Sequence, residues 1–206
     1  MSGGVPFAAM VLAGGAGRRM GGADKPALAV AGRPMLHRVL AAATRARPRV
    51  VVGPPRPGLP ADVVHVREDP PGGGPVAAIA AGLHALPTNG MLVAVLAADL
   101  PYLTADVLHT LAGALDRPDL DGAVLVDHAG RRQLLCGVWR TRSLRARFVA
   151  LGDPGGQPVH RLYDGLRVAE LCPPPGPAGA PPPWYDCDTE DDLRCAEEWP
   201  AHDRTG

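Results

Sequence analysis

Phe7-Ala8-Ala9-Met10-Val11-Leu12 runs directly into Ala13-Gly14-Gly15-Ala16-Gly17-Arg18-Arg19-Met20-Gly21-Gly22-Ala23-Asp24-Lys25. A short, wholly apolar run closed by glycines suits a buried parallel strand that ends in a loop. Residues 34–43 then open with proline, the favoured first helical residue, and carry apolar side chains at helical spacing. Strand, glycine loop and helix make an opening βα unit, and the alternation continues. Short β-branched strands are predicted over 49–52 and 63–66, and a helix over 76–86 is entered through Pro70-Pro71-Gly72-Gly73-Gly74-Pro75. Residues 91–97 are apolar throughout, as a central strand covered on both faces would be, and Asp99-Leu100-Pro101 ends it before a helix capped by Thr104. Strands over 123–126 and 134–139 flank an Ala129-Gly130 turn, and a helix follows from 141 to about 149. The pattern predicts an α/β fold, a three-layer α/β/α sandwich around a mostly parallel, mixed sheet. Ligands are expected at the carboxyl ends of its strands.

Working outward, residues 172–183 are almost entirely proline, glycine and alanine, which predicts an exposed loop, either a spacer or a polyproline ligand for an adaptor domain. Residues 184–187 read as a short final strand, and Thr189-Glu190-Asp191-Asp192 as a capping box opening the last helix. The whole chain, 206 residues, is the size of one domain, with 200–206 expected to be a flexible tail. Hydrophobic residues at 46% and charged residues at 20% exclude disorder throughout. Lys+Arg 21 against Asp+Glu 21 gives a formal charge of zero, which argues against a nucleic-acid backbone or an anionic membrane as partner and favours a small substrate. No apolar run reaches the roughly 18 residues of a membrane span, and no basic segment precedes the first strand as in a signal peptide, so a cytoplasmic location is expected. Cys136, Cys172, Cys187 and Cys195 show no C-x-x-C spacing, and the histidines no H-x-x-x-H or H-E-x-x-H pair, which argues against a structural zinc site and a disulfide framework.

Lys25 is the only lysine in the chain. Such a bias is either a product of genome base composition or the mark of a site that needs a compact ammonium point charge and resists exchange for arginine, which makes Lys25 a candidate site residue. The loop before it fails two familiar patterns. A dinucleotide fingerprint requires glycine where Met20 stands and an acidic residue where Gly53 ends the second strand; a Walker A loop requires Ser or Thr after Gly-Lys, but Lys25 follows Asp24 and precedes Pro26. What remains is either a glycine-rich turn with solvated arginines or an anion cradle. In the cradle, bare backbone amides approach phosphate oxygens while Arg18, Arg19 and Lys25 bring positive charge. Asp99, ending the most hydrophobic strand, is either a turn cap for the Leu100-Pro101 bend or a hard oxygen ligand for Mg²⁺. Asp186 and Asp188 flank Cys187 and point to one side if that segment is a strand, so either or both could meet a metal held by Asp99. The plainer role for Asp188 is to help Thr189 cap the final helix.

Leu12-Ala13-Gly14-Gly15 through Arg19-Met20-Gly21-Gly22-Ala23-Asp24-Lys25, then Glu68-Asp69 and Gly74-Pro75-Val76-Ala77-Ala78-Ile79, then Asp99-Leu100-Pro101-Tyr102-Leu103, then Asp186-Cys187-Asp188-Thr189-Glu190-Asp191-Asp192-Leu193, resemble the ordered motifs of the molybdenum cofactor guanylyltransferases. The resemblance implies a Rossmann-like nucleotidyltransferase fold and transfer of GMP from GTP to the phosphate of molybdopterin. It implies GTP over the first loop, with Leu12, Ala13 and Gly14 near the base, Asp69 near the nucleoside, and Gly15 and Gly53 also among the nucleotide-binding residues. Lys25 and Arg19 would then act on the phosphates, Asp99 would hold Mg²⁺ (or Mn²⁺), and Asp188 would be its second ligand. Enzymes of molybdenum cofactor biosynthesis, or those that use the cofactor, are the implied protein partners. The chain departs from the family where it has Gly53 for a frequent Asn, Ala78 for Gly, Pro26-Ala27 for Gly-Leu, and Asp188 near a usual Asn. Cytidylyltransferases acting on the same pterin resemble Leu-Ala-Ala-Gly at the first loop, unlike Leu12-Ala13-Gly14-Gly15. Nucleotidyltransferases for a deazaflavin precursor or a sugar phosphate share the logic of the site, and a catalytically silent nucleotide-binding protein could be built on the same fold.

Overall fold

A computed structural model describes residues 5–14, 24–88, 91–173 and 181–199. In chain order its first elements are β1 (Phe7–Leu12), a small hairpin of β2 (Ala29–Val30) and β3 (Arg33–Pro34), α1 (Met35–Ala42), β4 (Arg49–Val52), β5 (Val63–Val66) and α2 (Gly74–His84). There follow β6 (Leu92–Ala97), α3 (Ala105–Gly113), β7 (Gly122–Val126), β8 (Arg132–Arg140), α4 (Thr141–Leu151), α5 (Val159–Tyr163), β9 (Val168–Leu171) and α6 (Glu190–Glu198).

Every residue of β1 is buried, because the strand pairs in parallel with β4 on one side and β6 on the other and is covered by helices on both faces. Phe7, Ala9 and Val11 enter the core beneath α1 and α3, with Leu36, Val39, Leu108 and Leu111. The alternate residues Ala8, Met10 and Leu12 enter a second core with Val76 and Ile79 of α2, Leu144 of α4 and Leu162 of α5. The main sheet has seven strands in the order β5-β4-β1-β6-β8-β7-β9, and only β8 runs against the rest. The predicted three-layer, mostly parallel α/β architecture is therefore the observed one. The chain leaves β1 outward to β4 and β5, then returns across it to β6. That reversal opens a crevice at the carboxyl ends of β1 and β6. No described helix is long and apolar enough to cross a membrane.

Several local readings need correction. Pro34 pairs with Ala29 in the β2–β3 hairpin and stands at the N-cap of α1, so the helix opens at Met35. Helix α2 begins at Gly74 and ends at His84, two residues earlier at each end than predicted. Residues 184–187 form no strand: Pro181, Pro182 and Pro183 bring no amides, and the Tyr185 amide closes a turn on the Pro182 carbonyl at 3.0 Å. The Cys187 amide instead reaches the Asp99 carbonyl at 3.3 Å, which lays this segment across the end of β6. The last sheet strand is β9, paired in parallel with β7, and both it and α5 escape the sequence reading. The capped starts are as predicted, with Thr104 accepting from the Val107 amide and a reciprocal capping box between Thr189 and Asp192. Residues 174–180 of the proline-rich segment, and the tail 200–206, lie outside the described residues.

Candidate active site

Lys25 opens a single 3-10 turn (Lys25–Ala27) anchored by buried Pro26. Its ammonium donates to Asp99 Oδ2 and to Asp188 Oδ1, both at 2.5 Å, and only 16% of the side chain is exposed. Burial works to lower the lysine pKa. The charge on Asp99, with the hydrogen bonds to Asp188 and Asp99, outweighs burial and holds the group above its ordinary 10.5, so it is a cation at neutral pH. Three residues far apart in the chain thus converge at the carboxyl end of β6.

Both carboxylates meet Lys25, and the cap of α6 is made by other residues. Thr189 and Asp192 close the capping box between themselves, and Asp192 also takes the Asp188 backbone amide at 3.1 Å, which fixes the backbone while the Asp188 side chain turns to Lys25. Asp99 Oδ1 is buried and has no hydrogen-bond partner among the described residues, an orphaned acceptor beside its paired Oδ2. Asp186 lies within electrostatic reach of both. Partial burial, then repulsion from Asp188 and Asp99, raises its carboxyl above the usual range. Among the described residues no group of three or more acidic, histidine or cysteine side chains forms a cage. Two carboxylates on one side of a phosphate site are nonetheless the donor set Mg²⁺ commonly uses, since it completes its shell with substrate phosphates and water.

A cavity of about 580 Å³ opens beside this cluster. Leu12, Ala97 and Leu135 supply apolar wall, while Lys25, Asp99 and Glu68 bring charge to its lining. Gly14 lines it as well. Ala13 is fully buried behind, its amide bound to the Val52 carbonyl at 2.7 Å and its own carbonyl held by Arg56 at 2.7 Å. Gly53 sits against that backbone at φ +152°, where a Cβ would lie 2.7 Å from the Ala13 carbonyl carbon and 2.8 Å from the Gly14 nitrogen. In this arrangement the position has no room for the side chain that the resembling family often carries.

The structure brings together Leu12, Gly14, Lys25 and Asp99 around one cavity, with Ala13 and Gly53 as its backing and Asp188 on Lys25. It does not place Asp69 among the lining; that side chain is exposed, and its neighbour Glu68 faces the cavity instead. Gly15 and Arg19 lie outside the described residues. Arg56 and Arg67 went unread in the sequence, and Glu68, quoted there within its motif, was given no role. Arg56 ties the Ala13 carbonyl to the Asp24 carboxylate, latching the two ends of the glycine loop, and nothing in Pro54-Pro55-Arg56-Pro57 signals it. Arg67 and Glu68 line the cavity, and their only signal was adjacency to Asp69. Glu68 Oε1 accepts from the Gly72 amide at 3.1 Å, whereas Oε2 is buried with no partner among the described residues.

Comparison with known proteins extends these observations. A family model described as MobA-like NTP transferase domain matches residues 9–168. A protein of Bradyrhizobium sp. (strain ORS 278) named molybdenum cofactor guanylyltransferase is 33% identical over 200 residues, which is 93% of this chain and 92% of that one. One of Mycobacterium tuberculosis (strain ATCC 25618 / H37Rv) named probable molybdenum cofactor guanylyltransferase is 36% identical over 167 residues, covering 78% of this chain and 80% of the other. Among solved structures, molybdopterin-guanine dinucleotide biosynthesis protein A from Archaeoglobus fulgidus superposes with a TM-score of 0.68 over 93% of this chain and 97% of its own. At 20% identity that last likeness carries the fold alone, a Rossmann-like nucleotidyltransferase sheet.

Proposed function

The chain belongs to the MobA-like NTP transferase family and is a nucleotidyltransferase, and on that premise we propose that it transfers GMP from GTP to the terminal phosphate of molybdopterin, releasing pyrophosphate. The observation that carries guanine is Glu68. A buried carboxylate oxygen without a partner among the described residues, lining the nucleotide-sized cavity, is costly to leave unpaired. Guanine presents an imino N–H beside an amino group, two donors that a carboxylate accepts together. Cytosine presents one amino donor beside acceptor atoms, which the same oxygen repels. The apolar wall from Leu12, Ala97 and Leu135 suits the faces of a base.

In the proposed reaction an oxygen of the acceptor phosphate forms a bond to the α-phosphorus of GTP. The bond from that phosphorus to the bridging oxygen breaks, and its electron pair leaves with pyrophosphate. A phosphate monoester is already largely ionised at neutral pH, so no side chain has to remove a proton from it. The work left to the protein is to align two anions that repel one another and to neutralise charge building on the transferring group. Lys25 is a cation placed for this, held charged and at the cavity wall. Asp99, through its orphaned Oδ1, and Asp188 are the residues that would hold Mg²⁺ or Mn²⁺, which when bound supplies Lewis-acid neutralisation of phosphate oxygens.

Thermal shift with nucleoside triphosphates and Mg²⁺ tests the reading, because a ligand at about a hundred times its Kd stabilises by about 2.7 kcal/mol. GTP should raise the melting temperature well above any shift from CTP, with ITP, which lacks the 2-amino donor, in between. Glu68→Gln should erase most of the difference between GTP and ITP. Equal shifts from GTP and CTP on the unaltered protein would refute the guanine assignment.

A further inference from the structure

Four strands end in one row where the candidate site opens. Val66 of β5 is in register with Val52 of β4, Val52 with Leu12 of β1, and Leu12 with Ala97 of β6. Arg67 and Glu68 follow the first of these strands and Asp99 follows the last. Three strand spacings, about 14 Å, therefore separate the end of β5 from the end of β6. The cavity runs along this row, since Arg67, Glu68, Pro54, Leu12, Ala97 and Asp99 all line it. A nucleotide laid in it with its phosphates beside Lys25 and Asp99 has its base toward β5. Arg67 is then the cation at the base end of the cavity, as Lys25 is at the phosphate end.

Arg67 and Glu68 are adjacent in sequence, opposite in charge and line the same cavity, yet they do not pair. Glu68 Oε1 accepts from the Gly72 amide at 3.1 Å, and the buried Oε2 has no partner among the described residues. Arg67 is exposed, so its guanidinium stands at the mouth of the cavity while the free carboxylate oxygen lies deeper. The base end thus offers an acceptor within and a planar fork of donors at the mouth. Guanine has the matching edges. Its imino and amino donors suit the carboxylate, and next to them O6 and N7 form a pair of acceptors spaced for a bidentate guanidinium. Adenine reverses the sign facing the fork, with an amino donor where guanine has O6, and pyrimidines have no counterpart of N7.

We infer that Arg67 is a specificity-determining residue, donating to O6 and N7 of guanine while Glu68 takes the N1 and N2 donors. This role rests on the guanine assignment proposed above and adds a second side chain, one that reads the other edge of the base. The test is nucleotide affinity in the presence of Mg²⁺, measured by isothermal titration calorimetry. The ligands are GTP, CTP, ITP and 7-deaza-GTP, in which a CH group replaces N7. The unaltered protein should bind 7-deaza-GTP about fivefold more weakly than GTP, because one of the two bonds to the fork is lost. Arg67→Met removes no core packing, since the residue is exposed. It should weaken GTP about tenfold and erase the advantage of GTP over 7-deaza-GTP, while the preference for GTP over ITP, set by Glu68, stays. Equal affinity of the unaltered protein for GTP and 7-deaza-GTP overturns the role of Arg67. So does a preference that survives Arg67→Met, including an equal weakening of both nucleotides, which is the mark of a phosphate contact. In either case GTP bound well above CTP leaves the guanine assignment standing. GTP and CTP bound alike by the unaltered protein overturn that assignment and the role of Arg67 together.

Discussion

Replacing Lys25 by Met removes the ammonium and keeps the length of the side chain, so it isolates what that charge does for the two carboxylates it bridges. Asp99 Oδ2 and Asp188 Oδ1 each lie 2.5 Å from the same nitrogen, so the two oxygens are separated by about 5 Å at most. At that separation two unit negative charges repel by at least roughly 3 kcal/mol at an effective dielectric constant of about 20. Asp99 is 19% exposed and feels most of this, whereas Asp188 at 45% is partly screened by water, which reduces the expected loss to about 2–3 kcal/mol. For a chain of this length each kcal/mol moves the melting temperature by about 2–4 °C, so Lys25→Met should melt about 4–12 °C lower in divalent-free buffer. Millimolar Mg²⁺ should recover part of that loss, because a divalent cation can take the place of the missing ammonium between the carboxylates. The unaltered protein, already partly neutralised by Lys25, should respond to Mg²⁺ alone much less. Differential scanning fluorimetry with and without EDTA measures all four states. A Lys25→Met protein that melts with the wild type in EDTA would show that the ammonium does not hold the cluster together, and the site geometry would have to be redrawn.

Two further outcomes follow from other parts of the molecule. Gly122 lies opposite Trp139 in the β7–β8 ladder, where a Cβ would collide with the indole ring, itself fully buried and stacked on Tyr163 at 3.9 Å; Gly122→Ala should cost about 1–3 kcal/mol in urea unfolding, and a neutral result would mean that the ring can yield. Burial works to raise the Asp121 carboxyl, but the Arg167 amide at 2.9 Å and the Ser143 hydroxyl at 2.7 Å outweigh it and leave the pKa below its ordinary 3.8. Its stabilising share is therefore complete above 3.8 and lost as pH falls through the lower native value. Asp121→Asn should cost about 1–3 kcal/mol at pH 7 and progressively less as pH falls below the ordinary 3.8, a convergence that acid titration of the two proteins would reveal or refute.

Much of the fold was legible because its signals are local. The apolar run Phe7–Leu12 closed by glycine can hardly be other than a covered strand, and it is the buried centre of the parallel half of the sheet. Thr189 and Asp192 sit three residues apart, so a capping box can be read without knowing anything beyond one turn of helix. The lone lysine was conspicuous by composition alone. The misreadings are where distant pairing decides. Val168–Leu171 becomes a strand only because β7 offers it an edge, while Trp184 and its neighbours, which look as strand-like, are held in a turn by the carbonyl of Pro182.

The candidate site divides in the same way. Its residue types and their places at strand ends were set by the sequence, since a carboxylate after an apolar strand and a lysine after a glycine loop are one-dimensional patterns. Their contact was not, because Lys25 is 74 residues from Asp99 and 163 from Asp188, and only the return of the chain across β1 and the passage of 186–188 over β6 brings the three together. The choice between Glu68 and Asp69 turned on the path of the backbone. Neighbouring side chains in an extended segment face opposite ways, so the turn after β5 decides which carboxylate meets the cavity and which meets water. Gly53 shows the same limit from the other side: a glycine at a strand end reads as a simple turn, and only the backbone of Ala13 and Gly14, packed within 2.8 Å of where a Cβ would stand, explains why no side chain fits there.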